Sequence, residues 1–167
     1  MAKKSFLLIA FLILLVLPLF AQEGEKVTLE KNGFFIAPLG EALLYSQTSV
    51  SYGGGFFFGY GGRGAIGLRL LYAVDKENQG VMELLFFLRY FLSSRMVNSG
   101  PFLQLNTGPV LFTNKSVGSA FDGIGTISAG LTFGWRFSLG KYWFIEPAVR
   151  AGYPYLAGAG LSAGLKI

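Results

Sequence analysis

The chain has 167 residues, 52% of them hydrophobic, with 24 Gly, 17 Phe and 8 Tyr, and 14 Lys and Arg stand against 9 Asp and Glu. A net charge of +5 is too mild to argue for a nucleic-acid partner, and the glycine content is about twice the soluble average of roughly 7%. Cys is absent, which excludes disulfides and lipoprotein-type acylation, and His is absent, which removes the commonest catalytic base.

Residues 1–21 carry the three parts of an export signal: Lys3 and Lys4, an apolar run from Phe6 to Leu17, and Pro18-Leu19-Phe20-Ala21 before the polar Gln22. The run is shorter than the roughly 17–25 residues a membrane helix needs, so cleavage after Ala21 is expected rather than anchoring. Loss of Lys3 and Lys4 then lowers the net charge to +3. Residues 22–32, with Glu23, Glu25, Lys26, Glu30 and Lys31, read as a short periplasmic lead. No later stretch reaches 18 uninterrupted apolar residues, so membrane-spanning helices are not expected.

From residue 33 onward the sequence alternates apolar with polar or small residues in blocks of about ten, separated by turn chemistry. The first block, 34–45, is the weakest, because Pro38 and Gly40 interrupt it and Pro removes a ladder donor. The second, 50–60, puts Tyr52, Phe56, Phe58 and Tyr60 opposite Ser51, Gly53, Gly55 and Gly59, with Phe57 as an exception on the polar side. Gly61-Gly62-Arg63 turns into the third, 64–74, where Ile66, Leu68, Leu70 and Tyr72 oppose Gly67 and Arg69.

After a hydrophilic loop at 75–80, the fourth block, 81–92, sets Met82, Leu84, Phe86, Leu88 and Tyr90 against Glu83 and Arg89. The fifth, 101–113, opposes Leu103, Leu105 and Leu111 to Gln104, Asn106 and Gly108. A polar loop, 114–122, precedes the sixth, 124–139, where Leu131, Phe133, Trp135 and Phe137 oppose Ser128, Thr132 and Arg136. Gly140-Lys141 signals a two-residue hairpin into the seventh, 142–152, with Trp143, Ile145 and Val149 against Glu146 and Arg150. Tyr153-Pro154-Tyr155 leads to the last, 156–167, where Leu161, Leu165 and Ile167 oppose Gly158, Gly160, Ser162, Gly164 and Lys166.

Eight such blocks, tilted near 40°, match a bilayer core and nearly fill residues 33–167, so the expected fold is all-β, an eight-stranded antiparallel up-and-down transmembrane barrel. An even strand count puts both ends on the periplasmic side, with 46–49, 75–80, 114–122 and 153–155 as short outer loops. The alternation, the aromatic-rich hairpins and the closing series Leu161, Ala163, Leu165, Ile167 resemble the small eight-stranded outer-membrane barrel proteins of diderm bacteria. Ile167 stands where that group usually ends in an aromatic residue. The resemblance implies the outer membrane as location, its lipid as surroundings and its insertion machinery as a partner during biogenesis.

Six charged residues fall on the face that becomes the lumen: Arg69, Glu83, Arg89, Arg136, Glu146 and Arg150. Charges confined in an interior are expected to pair, so they read as an ion-pair network filling the barrel. Four Arg against two Glu leaves an excess that would suit a narrow path for small solutes or anions, the alternative reading. Glu83 and Glu146 could serve as paired carboxylates, but Arg on the same faces makes pairing the expected role. No catalytic residue, metal site or cofactor is expected. Tyr60, Tyr72, Tyr90, Trp135, Tyr142 and Trp143 are candidates for the aromatic girdles at the membrane boundaries. A soluble lipocalin-like barrel with an apolar ligand inside is the rival architecture, and it requires the opposite parity, with Leu84 and Phe86 inward.

Overall fold

The computed structural model describes residues 32–45, 50–76, 79–93, 99–113 and 125–167. The expected export signal and nearly all of the lead lie outside them, as do the loops expected at 46–49 and 114–122. The described residues form eight strands: β1 (Gly33–Tyr45), β2 (Val50–Gly61), β3 (Gly64–Val74), β4 (Gly80–Phe91), β5 (Gly100–Thr113), β6 (Gly125–Leu139), β7 (Trp143–Tyr153) and β8 (Tyr155–Lys166). Each pairs antiparallel with the next, and β8 returns to β1 to close a barrel. Closure runs from Phe35↔Lys166 to Leu44↔Ala157, extended by a reciprocal backbone pair between Phe34 and Ile167. Closure removes the sheet edges, the condition for a sheet to sit in a solvent that offers no hydrogen bonds.

The first block is a full strand of 13 residues despite Pro38. A proline lacks a donor toward only one of its two neighbours. Pro38 pairs with Phe56 on β2, while the ladder to β8 passes from Ile36↔Leu165 directly to Leu39↔Ser162. Pro109 and Pro147 do the same. The β4–β5 ladder skips from Glu83↔Val110 to Phe86↔Thr107, and the β6–β7 ladder from Gly134↔Ala148 to Phe137↔Ile145. Each proline therefore interrupts one ladder without shifting its register, a local loss that the rest of the closed sheet absorbs.

Two turn expectations need correction. The β6–β7 hairpin spans residues 140–142 rather than two, because Gly140 takes φ +72° and Leu139 pairs with Trp143. Tyr142 therefore lies in the turn. At the other end the β7–β8 connection shrinks to Pro154, and Tyr155, expected in a loop, begins β8 with its side chain fully buried.

The parity follows from burial. Leu84, Phe86, Leu88 and Tyr90 are exposed on the outside of β4, whereas Glu83, Leu85, Phe87, Arg89 and Phe91 are buried inside. All eight strands repeat this division, so the exterior is a continuous apolar surface and the interior holds the charges. That is the opposite of the parity a lipocalin-like barrel requires. A surface this apolar matches hydrocarbon, not water.

Inward glycines position the interior rings. Phe35 faces Gly59, Phe87 faces Gly67, Phe102 faces Gly134 and Phe144 faces Gly164, each pair being direct cross-strand partners. A Cβ on any of the four glycines would approach the facing ring to between 2.4 and 2.5 Å. Each ring thus packs into the space where a neighbouring side chain is missing. The space that these four glycines leave is taken up by aromatic rings.

Candidate functional site

The lumen brings together every charged residue the alternation assigned to it. Arg69 comes from β3, Glu83 and Arg89 from β4, Arg136 from β6, and Glu146 and Arg150 from β7, all buried. They divide into two clusters. In the first, Arg150 Nη2 donates to Glu83 Oε2 at 2.8 Å, and Tyr45 Oη donates to Glu83 Oε1 at 2.9 Å. In the second, Arg89 Nη1 donates to Glu146 Oε1 at 2.7 Å, and Arg136 Nε donates to the same oxygen.

A seventh charge completes the first cluster. Glu41 on β1 is buried, accepts from Arg69, and lies 2.7 Å from Arg150 Nε. The expected count of four Arg against two Glu is therefore corrected to four against three. The signal for Glu41 was present: it shares parity with Phe35, Ala37, Leu43 and Tyr45, all buried. The interruptions at Pro38 and Gly40 obscured that parity in the sequence.

Neutral polar groups extend the second cluster. Arg89 Nε donates to Gln104 Oε1 at 2.8 Å, Gln104 Nε2 to Asn106 Oδ1 at 2.6 Å, and Asn106 Nδ2 to Thr132 Oγ1 at 2.8 Å. Aromatic faces complete it. The Arg89 guanidinium lies 4.0 Å from the Phe102 centroid, and that of Arg136 lies 4.0 Å from Phe144 and 4.3 Å from Phe35. Desolvated contacts of this kind are worth up to about 2 kcal/mol each. They let a buried guanidinium meet π-faces as well as carboxylates.

Apolar layers close both ends of the lumen. At the end where β1 finishes and β8 begins, Leu43, Tyr45, Leu71, Val81, Val110 and Tyr155 form one buried cluster, and at the end where β1 begins and β8 finishes, Phe35, Ala37, Phe57, Phe87 and Phe144 form another. Beside the charged groups a small, partly open cavity of about 30 Å³ is bordered by Glu41, Arg69, Arg89, Gln104, Thr132, Glu146 and Ser162 and reaches the outward-facing Gly40, Val149 and Leu161. That is room for one or two waters, in keeping with the general rule that side chains fill an eight-stranded interior.

The six aromatics assigned to girdles all lie away from the lumen, Trp135 half-buried and the others exposed. Register separates them by height. Tyr60 pairs with Phe34, Tyr90 with Gly64, Trp135 with Pro101 and Trp143 with Leu165, which places them with Tyr142 at the end where β1 begins and β8 finishes. Tyr72, paired with Gly54 and Met82, stands toward the opposite end. There it is joined by Tyr52 and Tyr153, both exposed and not singled out in the sequence.

No protein-family model matches the chain, and no curated protein matches it by sequence. Solved structures do match in shape. The N-terminal β-barrel domain of Pseudomonas aeruginosa OprF superposes with a TM-score of 0.62 at 16% identity, covering 83% of this chain and 98% of that one. The fold is that of the small outer-membrane barrels. Neisserial surface protein A aligns with a TM-score of 0.63 at 11% identity, covering 81% of this chain and 96% of that one. A de novo designed transmembrane β-barrel aligns with a TM-score of 0.50 at 13% identity, over 84% of this chain and all of the design. At such identities the likeness concerns architecture alone.

Proposed function

We propose that the chain is a non-enzymatic outer-membrane barrel with an envelope-structural role, its lumen closed by an Arg/Glu network and aromatic packing. The observation that carries this reading is a packed interior: the two ion-pair clusters interleave with the buried rings and aliphatic side chains, Arg89 and Arg136 lying against Phe35 and Tyr45 bonding Glu83, and the cavity among them has a volume of only about 30 Å³. The continuous apolar exterior supports a lipid environment, and the N-terminal signal supports export to the envelope followed by insertion through the outer-membrane machinery. The chain contains no His to act as a base, and its buried carboxylates are each engaged by Arg.

Planar-bilayer recordings of the purified full chain test the closed lumen. Absence of discrete conductance steps is expected, and reproducible steps would replace the structural role with a narrow pore. Fractionation tests the location: recovery in the soluble periplasmic fraction without detergent would overturn the membrane assignment.

A further inference from the structure

The outer wall is not uniform at the end where β1 begins and β8 finishes. An open groove of about 500 Å³ lies between two rows of outward side chains, Tyr60, Ile66 and Leu88 on one side and Phe58 and Leu68 on the other. Its floor is backbone at the paired Gly59 and Gly67, and the rings of Phe35 and Phe87 close these positions from the lumen side. The lining is apolar apart from the hydroxyls of Tyr60 and Thr107, and the size falls within the roughly 300–1,000 Å³ of small-molecule sites.

A fixed positive charge stands at the rim of this groove. Arg63 lies in the turn between β2 and β3, and its carbonyl accepts from the Phe91 N–H at 2.8 Å, which pins the turn to β4. Its guanidinium lies 5.1 Å from the centroid of the outward Tyr90 ring. Tyr90 follows Leu88 by two residues on the same face of β4, about 7 Å along the strand from the groove wall at roughly 3.4 Å per residue. Among the described residues no carboxylate pairs with Arg63, so its fork of N–H donors is open to an acceptor from outside the chain.

Charge at this end is predominantly of one sign. The three turns hold Arg63, Arg95 and Lys141 and contain no Asp or Glu, and β8 ends at Lys166. The lead before β1, with three Glu and two Lys, offsets only one of these four charges. At the opposite end the β3–β4 connection carries Asp75, Lys76 and Glu77. Basic groups set beside Tyr and Trp rings at a membrane boundary are complementary to anionic headgroups.

We propose that the groove and Arg63 together form a preferred site for an anionic glycerophospholipid, its acyl chain lying between the two rows and its phosphate held by the guanidinium. Arginine grips phosphate through parallel N–H donors, and the Tyr90 ring supports the guanidinium from behind. The site rests on the membrane reading above and on the periplasmic orientation expected for this end, because the periplasmic leaflet of an outer membrane is the phospholipid one.

Native mass spectrometry tests the site on the refolded full chain, released from detergent after incubation with equal amounts of phosphatidylglycerol and phosphatidylcholine. Retention of one phosphatidylglycerol, in several-fold preference over phosphatidylcholine, is expected. Arg63→Gln should reduce that preference several-fold, while Lys141→Gln, on the turn at the far side of the barrel, should leave it unchanged. Ile66→Trp narrows the groove without changing the charge and should lower retention of both lipids. Equal retention of the two lipids by the wild type would overturn the site. So would an equal loss of preference in Arg63→Gln and Lys141→Gln, which would assign the preference to the charge of the whole rim. A chain that folds in neither detergent nor lipid would overturn the membrane reading itself, whereas a folded barrel without the preference overturns the site alone.

Discussion

Arg150 on β7 reaches across β8 to place its Nε 2.7 Å from Glu41 Oε1 on β1, so one ion pair spans the seam where the barrel closes. The path is clear because β8 presents glycines inward at that height. A Cβ on Gly158 would meet Leu43 Cδ2 at 2.7 Å and Glu41 Oε1 at 3.2 Å, and one on Gly160 would meet the Glu41 stem at 3.3 Å. Small residues on the closing strand and long charged ones on its neighbours thus form a single device.

Gly158→Val should therefore destabilise the barrel by about 1–3 kcal/mol through overpacking, more if Glu41 is displaced from Arg150. Urea unfolding of the refolded protein in detergent or vesicles reads this directly. A neutral effect would show that the pair does not pass over β8 at this point.

Among the described residues, Glu83 is the one carboxylate that joins Arg150 to Tyr45, and it is fully buried. Glu83→Gln leaves a guanidinium without one of its two carboxylates, and the expected cost is about 3–5 kcal/mol, typical of breaking a buried pair from one side. Tyr45→Phe should cost less, about 1.5–3 kcal/mol, the range for a hydrogen bond to a charged group. A double-mutant cycle between the two substitutions should show coupling, because both act through Glu83.

The charged lumen was largely legible in the sequence because strand parity is a strict period of two: Glu83 with Arg89 keeps it without interruption, and Glu146 with Arg150 keeps it across Pro147. Glu41 was not legible. Pro38 and Gly40 look like strand breakers in sequence, and only closure shows that Pro38 weakens one ladder while keeping the other. Which Arg meets which Glu also could not be read, since the partners lie on different strands and the shear of the barrel sets their heights. The glycine–ring pairs were hidden for the same reason: Phe102 and Gly134 become neighbours only once the β5–β6 register is known.

Phe102 tests that pairing. Its ring covers Gly134 and carries the Arg89 guanidinium at 4.0 Å. Phe102→Ala should cost about 3–5 kcal/mol, the range for deleting a buried aromatic side chain. Phe102→Leu should recover part of that by refilling the volume, but without the π-face for Arg89 it should not recover all of it. Comparing the three unfolding midpoints separates packing from the cation–π share. Equal stability of Phe102→Leu and wild type would remove the cation–π contact from the account.

The outward face is tested by charge at two heights. Leu84 lies mid-strand on β4 opposite Leu70, and Tyr90 lies on the same face near the end where β1 begins and β8 finishes. Both are exposed, so neither substitution disturbs the lumen. If lipid surrounds the barrel, Leu84→Arg places a guanidinium near the bilayer midplane and should cost about 2–4 kcal/mol, whereas Tyr90→Arg, close to the interface, should cost only about 0–1 kcal/mol. Water would treat the two sites alike. Unfolding in lipid vesicles that shows this depth dependence supports a membrane-spanning exterior, and equal costs at both heights would mean that β4 does not cross a hydrocarbon core.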